Sequence, residues 1–229
     1  MYYENYQNDR RTSKAPNIKI ILSLVVAAAI ACAFICGNIF ESDSVSEYYD
    51  NTLDCSDFVQ PSVKNNIDLA KWAQMACDNG WGYVYGTFGY VLSEQMLDDK
   101  LAQYPAMVGE NESFIRQNWL GRRTADCMGL IKSYMWYSPD SNSIIYNGGS
   151  MPDIGCDRLF EQASVKGTID TIPETVGLAV WAEGHIGIYI GDGYAIEAQS
   201  TRDGVKKTKL RRRNWTHWFE IPYIQYNYM

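Results

Sequence analysis

Eighteen consecutive residues without a charged side chain, Ile20 to Gly37 (IILSLVVAAAIACAFICG), constrain this chain more than any other feature. A run of that length suffices for a helix to cross a bilayer, where every backbone polar group must bond within the segment. Arg10, Arg11, Lys14 and Lys19 precede it, and Glu41, Asp43, Glu47 and Asp50 follow. The basic excess on the N-terminal side places residues 1–19 in the cytoplasm as a basic tail and the remainder outside. Residues 20–40 are expected to form an uncleaved transmembrane signal anchor. Ala31-Cys32-Ala33 imitates a cleavage site and Cys36 a lipidation site. Cutting at the first would leave a short apolar core behind a long polar head, and Phe34 and Ile35 are bulky for the second. Each alternative still exports the C-terminal part, which is secreted if the segment is cleaved.

Export changes how the cysteines are read, because outside the cytoplasm paired thiols are expected and a free one needs a reason. Of six cysteines, Cys32 and Cys36 lie in the apolar run. The others, Cys55, Cys77, Cys127 and Cys156, show no CxxC spacing, and there are only two histidines, so no metal centre is expected. If one of these four is a working nucleophile, the other three cannot all pair with one another. The formal net charge of -7 argues against nucleic acid as a partner. An aromatic content of 14% suits a β-rich core or a surface that packs on sugars and peptides.

Residues 41–64 are polar and acidic without sustained periodicity, the pattern of a stalk, and 65–229 read as one domain. Ile67, Leu69, Ala70, Trp72, Ala73 and Ala76 make one apolar helical face after Asn65 and Asn66, and Gly80 supplies a stop, which predicts a helix over about 66–78. Leu92, Met96, Leu97 and Leu101 predict a second helix ending before Pro105, and Phe114, Ile115 and Trp119 a short one ending at Gly121. Cys127 to Tyr137 reads as a buried helix and Asp157 to Val165 as a weaker amphipathic one. After Thr175 the pattern changes to strands: GLAVWA, HIGIYIG, YAIEAQ, VKKTKLR and THWFEIP, with turn signals at Glu183-Gly184 and Asp192-Gly193. Helices followed by an antiparallel meander give an α+β fold, its helical layer packed on one side of the sheet.

Three side chains could carry chemistry. Cys127 opens a helix, where unpaired N–H groups and the helix dipole favour a thiolate, although a small buried residue would also fit there. His185 opens HIGIYIG and could face that helix start as a base near neutral pH. The other histidine, His217, sits between Trp215 and Trp218 and reads as an aromatic-packed strand residue. Glu197 lies twelve residues after His185 on the next strand, where hairpin pairing can bring a polar group to the imidazole. Its plain alternative is a surface glutamate on an alternating strand. The basic run from Arg202 to Arg213 is expected to contain a strand, and Arg211 to Arg213 within it read as a solvated strand face or as a surface for an anionic polymer or lipid head groups.

Tyr83-Val84-Tyr85-Gly86, Asp126-Cys127-Met128-Gly129-Leu130, His185-Ile186-Gly187-Ile188-Tyr189 and Glu197 together resemble, in that order, the NlpC-type family of bacterial cell-wall cysteine endopeptidases, a papain-like group. The match covers roughly residues 66–221. The resemblance implies a papain-like α+β fold with Cys127 as nucleophile, His185 as general base and acid, and Glu197 as the residue that orients the imidazole. It implies substrate-binding roles for Tyr83, beside the thiolate, and for Asp126, next to the nucleophile, where it contacts the free amine of a trimmed stem peptide. The partner would be peptidoglycan stem peptides, cut between γ-D-glutamate and the diamino acid at the bacterial plasma membrane, with no cofactor.

Departures from the family pattern are Met128 in place of serine, a glutamate at 197 where histidine, asparagine or glutamine is usual, and an insertion from Tyr90 to Ala125. Gln199 is the alternative orienting residue, and the insertion is expected to form two helices and one wall of the substrate groove. Three further readings compete: an amidase or cross-bridge endopeptidase of the CHAP type, a non-catalytic wall-binding component of an export or conjugation apparatus, and a structural membrane protein with a cysteine-stabilised ectodomain, in which Cys127 is oxidised.

Overall fold

Asn65 begins the first helix among the described residues, α1 (Asn66–Asp78), by accepting a hydrogen bond on its side chain from the Asp68 N–H. Leu69, Trp72, Ala73 and Ala76 form its buried stripe, and Gly80 takes a positive φ just past its end. A computed structural model of the protein describes residues 51–228. The basic tail, the apolar span and residues 41–50 of the expected stalk lie outside the described residues. Among the described residues no helix is long and apolar enough to cross a membrane.

Strands β1 (Phe88–Val91) and β2 (Arg123–Ala125) pair antiparallel and bracket helices α2 (Glu94–Gln103), α3 (Pro105–Val108) and α4 (Glu112–Asn118). The insertion is therefore a hairpin-based excursion. Its own small core contains Val84, Leu92, Leu97, Val108 and Ile115. Helix α5 (Cys127–Met135) follows, then the two-residue strands β3 (Tyr137–Ser138) and β4 (Ser143–Ile144), helix α6 (Cys156–Gln162) and strand β5 (Lys166–Thr168). The last part holds β6 (Ala179–Ala182), β7 (His185–Gly191), β8 (Tyr194–Ser200), β9 (Gly204–Lys209) and β10 (His217–Phe219).

The main sheet is antiparallel in the order β5-β10-β6-β7-β8-β9. Only β6 to β9 follow as a meander. The fifth expected strand crosses back to lie between β6 and β5, where it buries Phe219. Asp192 and Gly193 both take positive φ, 54° and 72°, the left-handed pair that a tight hairpin with right-twisted strands demands.

Alternation sorts the two faces of the sheet. Ile186, Ile188, Ile196, Ala198 and Val205 join the main core with α1 and α5. Val180, Tyr189 and Ala195 point the other way, onto Trp215 and Leu178. The helical layer thus covers one face, as the α+β reading expects.

Residues 51–64, expected to be the outer part of a stalk, are instead held against the domain. Leu53 is buried in the main core. Asn51 donates to the Gly121 carbonyl, and its own carbonyl accepts from the Arg123 guanidinium. The buried Asp68 carboxylate accepts the N–H groups of Val59 and Gln60 at 2.7 and 3.0 Å. Acidic composition looked like a solvated tether, but a few long-range hydrogen bonds and one buried leucine are enough to fix such a segment.

Candidate active site

The start of α5 is built by contacts that explain the glycines of both upstream motifs. Asp126 is its N-cap, accepting from the Gly129 N–H at 2.6 Å on one carboxylate oxygen and from the Gly86 N–H at 2.8 Å on the other. One side chain therefore locks the 83–86 turn to the helix that carries Cys127. Gly86 has φ +80°, a conformation that only glycine adopts without strain. A Cβ on Gly129 would lie 1.9 Å from the Thr87 carbonyl oxygen, so the helix can approach the turn this closely only without a side chain there. Burial pushes the Asp126 carboxyl up, and the two backbone donors oppose that shift.

Cys127 lies on a cleft of about 630 Å³ whose lining includes Tyr85, Asp126, Cys156 and Gly184. Lys100, Gln103 and Tyr104 of the insertion form part of its wall. Tyr83 lies close enough to Cys127 and Asp126 for their charges to act on its hydroxyl, and burial, before those charges, raises its pKa.

Position at a helix start is expected to favour a thiolate at Cys127, and here that expectation is overturned. A hydrogen bond with Cys156, then burial, then the Asp126 carboxylate push the Cys127 thiol well up, and the Met128 N–H offsets only part of this. Cys156, the acceptor, is pushed down by the same hydrogen bond against the effect of its burial. Cys156 in turn donates to the Asp157 carboxylate at 3.6 Å. All four cysteines at 55, 77, 127 and 156 are free thiols.

His185 and Glu197 are brought together directly. The β7–β8 register pairs Ile188 with Ile196, which sets Glu197 across from Gly187 and diagonal to His185 on the same face. Gly187 has no side chain to fill that space, and Trp215 packs there, 3.2 Å from where a Cβ would stand. Glu197 is completely buried, and its Oε2 lies 2.7 Å from His185 Nε2. Oε2 also accepts from the Arg213 guanidinium, and Oε1 from the Thr208 hydroxyl, each at 2.7 Å. Burial alone would raise the Glu197 carboxyl, but the three donors together hold it below its ordinary value. Trp215 lies flat against the His185 ring, with centroids 5.3 Å apart and planes within 7°. These contacts fix the imidazole with Nε2 on the carboxylate and leave Nδ1 as the nitrogen for proton exchange.

Glu197, not Gln199, therefore faces the imidazole, and the surface-glutamate alternative does not hold; Gln199 donates to Asp203. His217 packs among Phe160 and Trp181, as an aromatic-surrounded residue. Among the described residues no hydrogen bond joins Cys127 to His185. Gly184, which precedes His185, lines the Cys127 cleft and donates its N–H to Asp157 beside Cys156, whereas the His185 side chain lines a separate pocket with Arg213 and Trp215. Sequence reasoning passed over Cys156, Thr208, Arg213 and Trp215. Arg213 was read only as part of a basic run, and the spacing of these residues carries no signal because loops separate them from their partners. Among the described residues no group of three or more His, Cys, Asp or Glu side chains is placed to hold a metal ion.

No protein-family profile matches the chain, and no curated protein is similar to it. Among solved structures it is similar to NlpC2 from Trichomonas vaginalis, at 13% identity and TM-score 0.39, over 76% of this chain and 51% of that one. It is similar to NlpC1 from the same organism at 15% identity and TM-score 0.37, over 67% of this chain and 44% of that one. The chain thus spans about half the length of these two proteins. The NlpC/p60 domain of the peptidoglycan hydrolase SagA is similar at 17% identity and TM-score 0.35, over 67% of this chain and 96% of that domain. Each of these three solved structures has NlpC in its name.

Proposed function

We propose that the chain is a membrane-anchored, outward-facing cysteine peptidase of the NlpC type, which hydrolyses the bond between γ-D-glutamate and the diamino acid in peptidoglycan stem peptides. The observation that carries this reading is His185, half-buried and oriented by the fully buried Glu197 on the adjoining strand, together with a cleft that holds Cys127 at a helix start and includes Gly184 beside His185. In the reaction the Cys127 proton passes to His185 Nδ1 and the sulfur attacks the substrate carbonyl. The Cys127 N–H, at the start of α5, stabilises the oxyanion, a contact worth on the order of a hundredfold in rate. His185 then gives its proton to the leaving amine as the thioester forms. Water deprotonated by His185 resolves the thioester and restores the thiol. Glu197 stabilises the imidazolium while it carries the extra proton.

Tyr83 positions the carbonyl. Asp126 lines the cleft, and with one backbone donor on each oxygen it keeps lone pairs free for the amine of a trimmed stem peptide. The insertion wall, through Lys100, Gln103 and Tyr104, shapes what else can enter. Proton transfer requires the Cys127 side chain to leave Cys156 and turn toward His185 when substrate fills the cleft.

Mass spectrometry of peptidoglycan fragments incubated with the protein and with its Cys127→Ala variant tests this. Cleavage of stem peptides by the first alone is expected, and the fragment masses name the bond; masses from an amide or cross-bridge cut instead favour the CHAP-type reading. A second reading, a non-catalytic wall-binding component, draws on the hydrogen bond of Cys127 to Cys156 in place of His185. Failure of the folded, fully reduced protein to cleave any fragment would favour it.

A further inference from the structure

Cys156 has no part in that mechanism, yet of the other free cysteines it alone shares the cleft and a hydrogen bond with Cys127. Cys55 and Cys77 are not on the cleft lining. The two cleft cysteines begin two different helices, α5 and α6. The start of α6 is pinned by Asp157, whose carboxylate accepts from the Gly184 N–H at 2.9 Å and the Trp181 indole at 3.0 Å. Cys156 is thereby held between the nucleophile and the β6–β7 turn that leads into His185. It is almost fully buried, whereas Cys127 is partly open to the cleft.

We infer that Cys127 and Cys156 are a redox pair, closing to a reversible disulfide that takes the nucleophile out of use. The inference rests, for its effect on activity, on the peptidase reading above. Two interacting thiols on one cleft wall can close to the S–S separation of about 2.0 Å by side-chain rotation and a local approach. A low-molecular-weight disulfide, RSSR, is the oxidant. A thiolate of the pair attacks one of its sulfurs, breaking the S–S bond and releasing RS⁻, which takes up the proton that the pair gave off. The second protein thiol then loses its proton and attacks the protein sulfur of the mixed disulfide, and a second RSH leaves. Two protein thiols are oxidised by two electrons in all, and RSSR is reduced to two RSH. The hydrogen bond between the pair lowers the Cys156 thiol, which favours its thiolate in the first step, and Lys100 and Arg158 on the cleft lining suit an oxidant that carries carboxylates. An exported thiol enzyme would in this way work only where reductant reaches it.

The test treats the full chain with oxidised glutathione, alkylates the remaining thiols and maps peptides by mass spectrometry, with peptidoglycan hydrolysis measured in parallel. A peptide cross-linked through Cys127 and Cys156 is expected, with Cys55 and Cys77 still alkylated. Hydrolysis should fall at least tenfold and return with dithiothreitol. In the Cys156→Ser variant a stable glutathione adduct on Cys127 should replace the cross-link. Adducts without a cross-link in the unsubstituted chain, or a cross-link to Cys55 or Cys77 instead, would overturn the inference while leaving the peptidase reading intact. The expected cross-link in a protein whose reduced form hydrolyses nothing would keep the pair and sink the peptidase reading.

Discussion

Replacing Glu197 by Gln separates charge from hydrogen bonding at the centre of the buried network. The amide oxygen can stand where Oε2 accepts from His185 and Arg213, and the amide nitrogen can donate to the Thr208 hydroxyl, so each contact keeps a partner. What is lost is the negative charge. A hydrogen bond to a charged group contributes about 1.5–3 kcal/mol and a neutral one about 1 kcal/mol. The Arg213 side chain is 30% exposed, so water recovers part of the difference, and Glu197→Gln should cost about 1–2 kcal/mol near pH 7. Glu197→Ala removes the acceptor altogether and strands three donors, which should cost about 3–5 kcal/mol. The native carboxyl titrates below its unfolded value of about 4.3, so its contribution is fully present above that pH and is lost as pH falls through the lower folded value. Urea unfolding followed by tryptophan fluorescence should therefore give parent and Gln curves that converge in acid. Equal losses for Gln and Ala near pH 7, or a parent-to-Gln gap that persists unchanged in acid, would refute this account of the network.

Other perturbations probe the site's scaffold and roles. Gly129→Ala forces a Cβ to within 1.9 Å of the Thr87 carbonyl and should destabilise by about 1–3 kcal/mol, whereas Gly109→Ala meets nothing within 4 Å and should be neutral or stabilising by up to about 1 kcal/mol; thermal denaturation of both distinguishes steric exclusion from a general intolerance of glycine replacement. His185→Gln should lower stem-peptide hydrolysis by about a hundredfold or more, and His217→Gln should leave it within about twofold, since only the first imidazole adjoins Glu197; comparable losses in both would reject the assignment of the base.

Much of the frame was legible because local rules are strong where periodicity and caps agree. The helix expected over 66–78 is Asn66–Asp78, bounded by an asparagine cap and a glycine that no neighbour overrides. Asp192-Gly193 announced its hairpin, and that hairpin fixed the register which makes Glu197 the diagonal neighbour of His185. The return of β10 to the far side of β6 was not legible, since an antiparallel strand after a loop can pair with either edge or between earlier strands. The docking of residues 51–64 was hidden for a similar reason: Asn51 and Asp68 find partners that only the folded chain brings near.

The sequence by itself determined which residue types stand at helix starts and strand ends: a cysteine behind an aspartate cap, a histidine two residues before a glycine, a glutamate on the following strand. Those features depend on contacts within a few residues or across one tight turn. Tertiary structure alone decided their electrical state. Cys127, favoured as a thiolate by its place on α5, is held protonated by a sulfur twenty-nine residues away on α6. Glu197, plausible as a surface residue, is fully buried and held ionised by His185, Thr208 and Arg213. Charge in a protein follows burial and the sum of nearby donors and acceptors, and that sum is set by packing across the whole fold, not by neighbours along the chain.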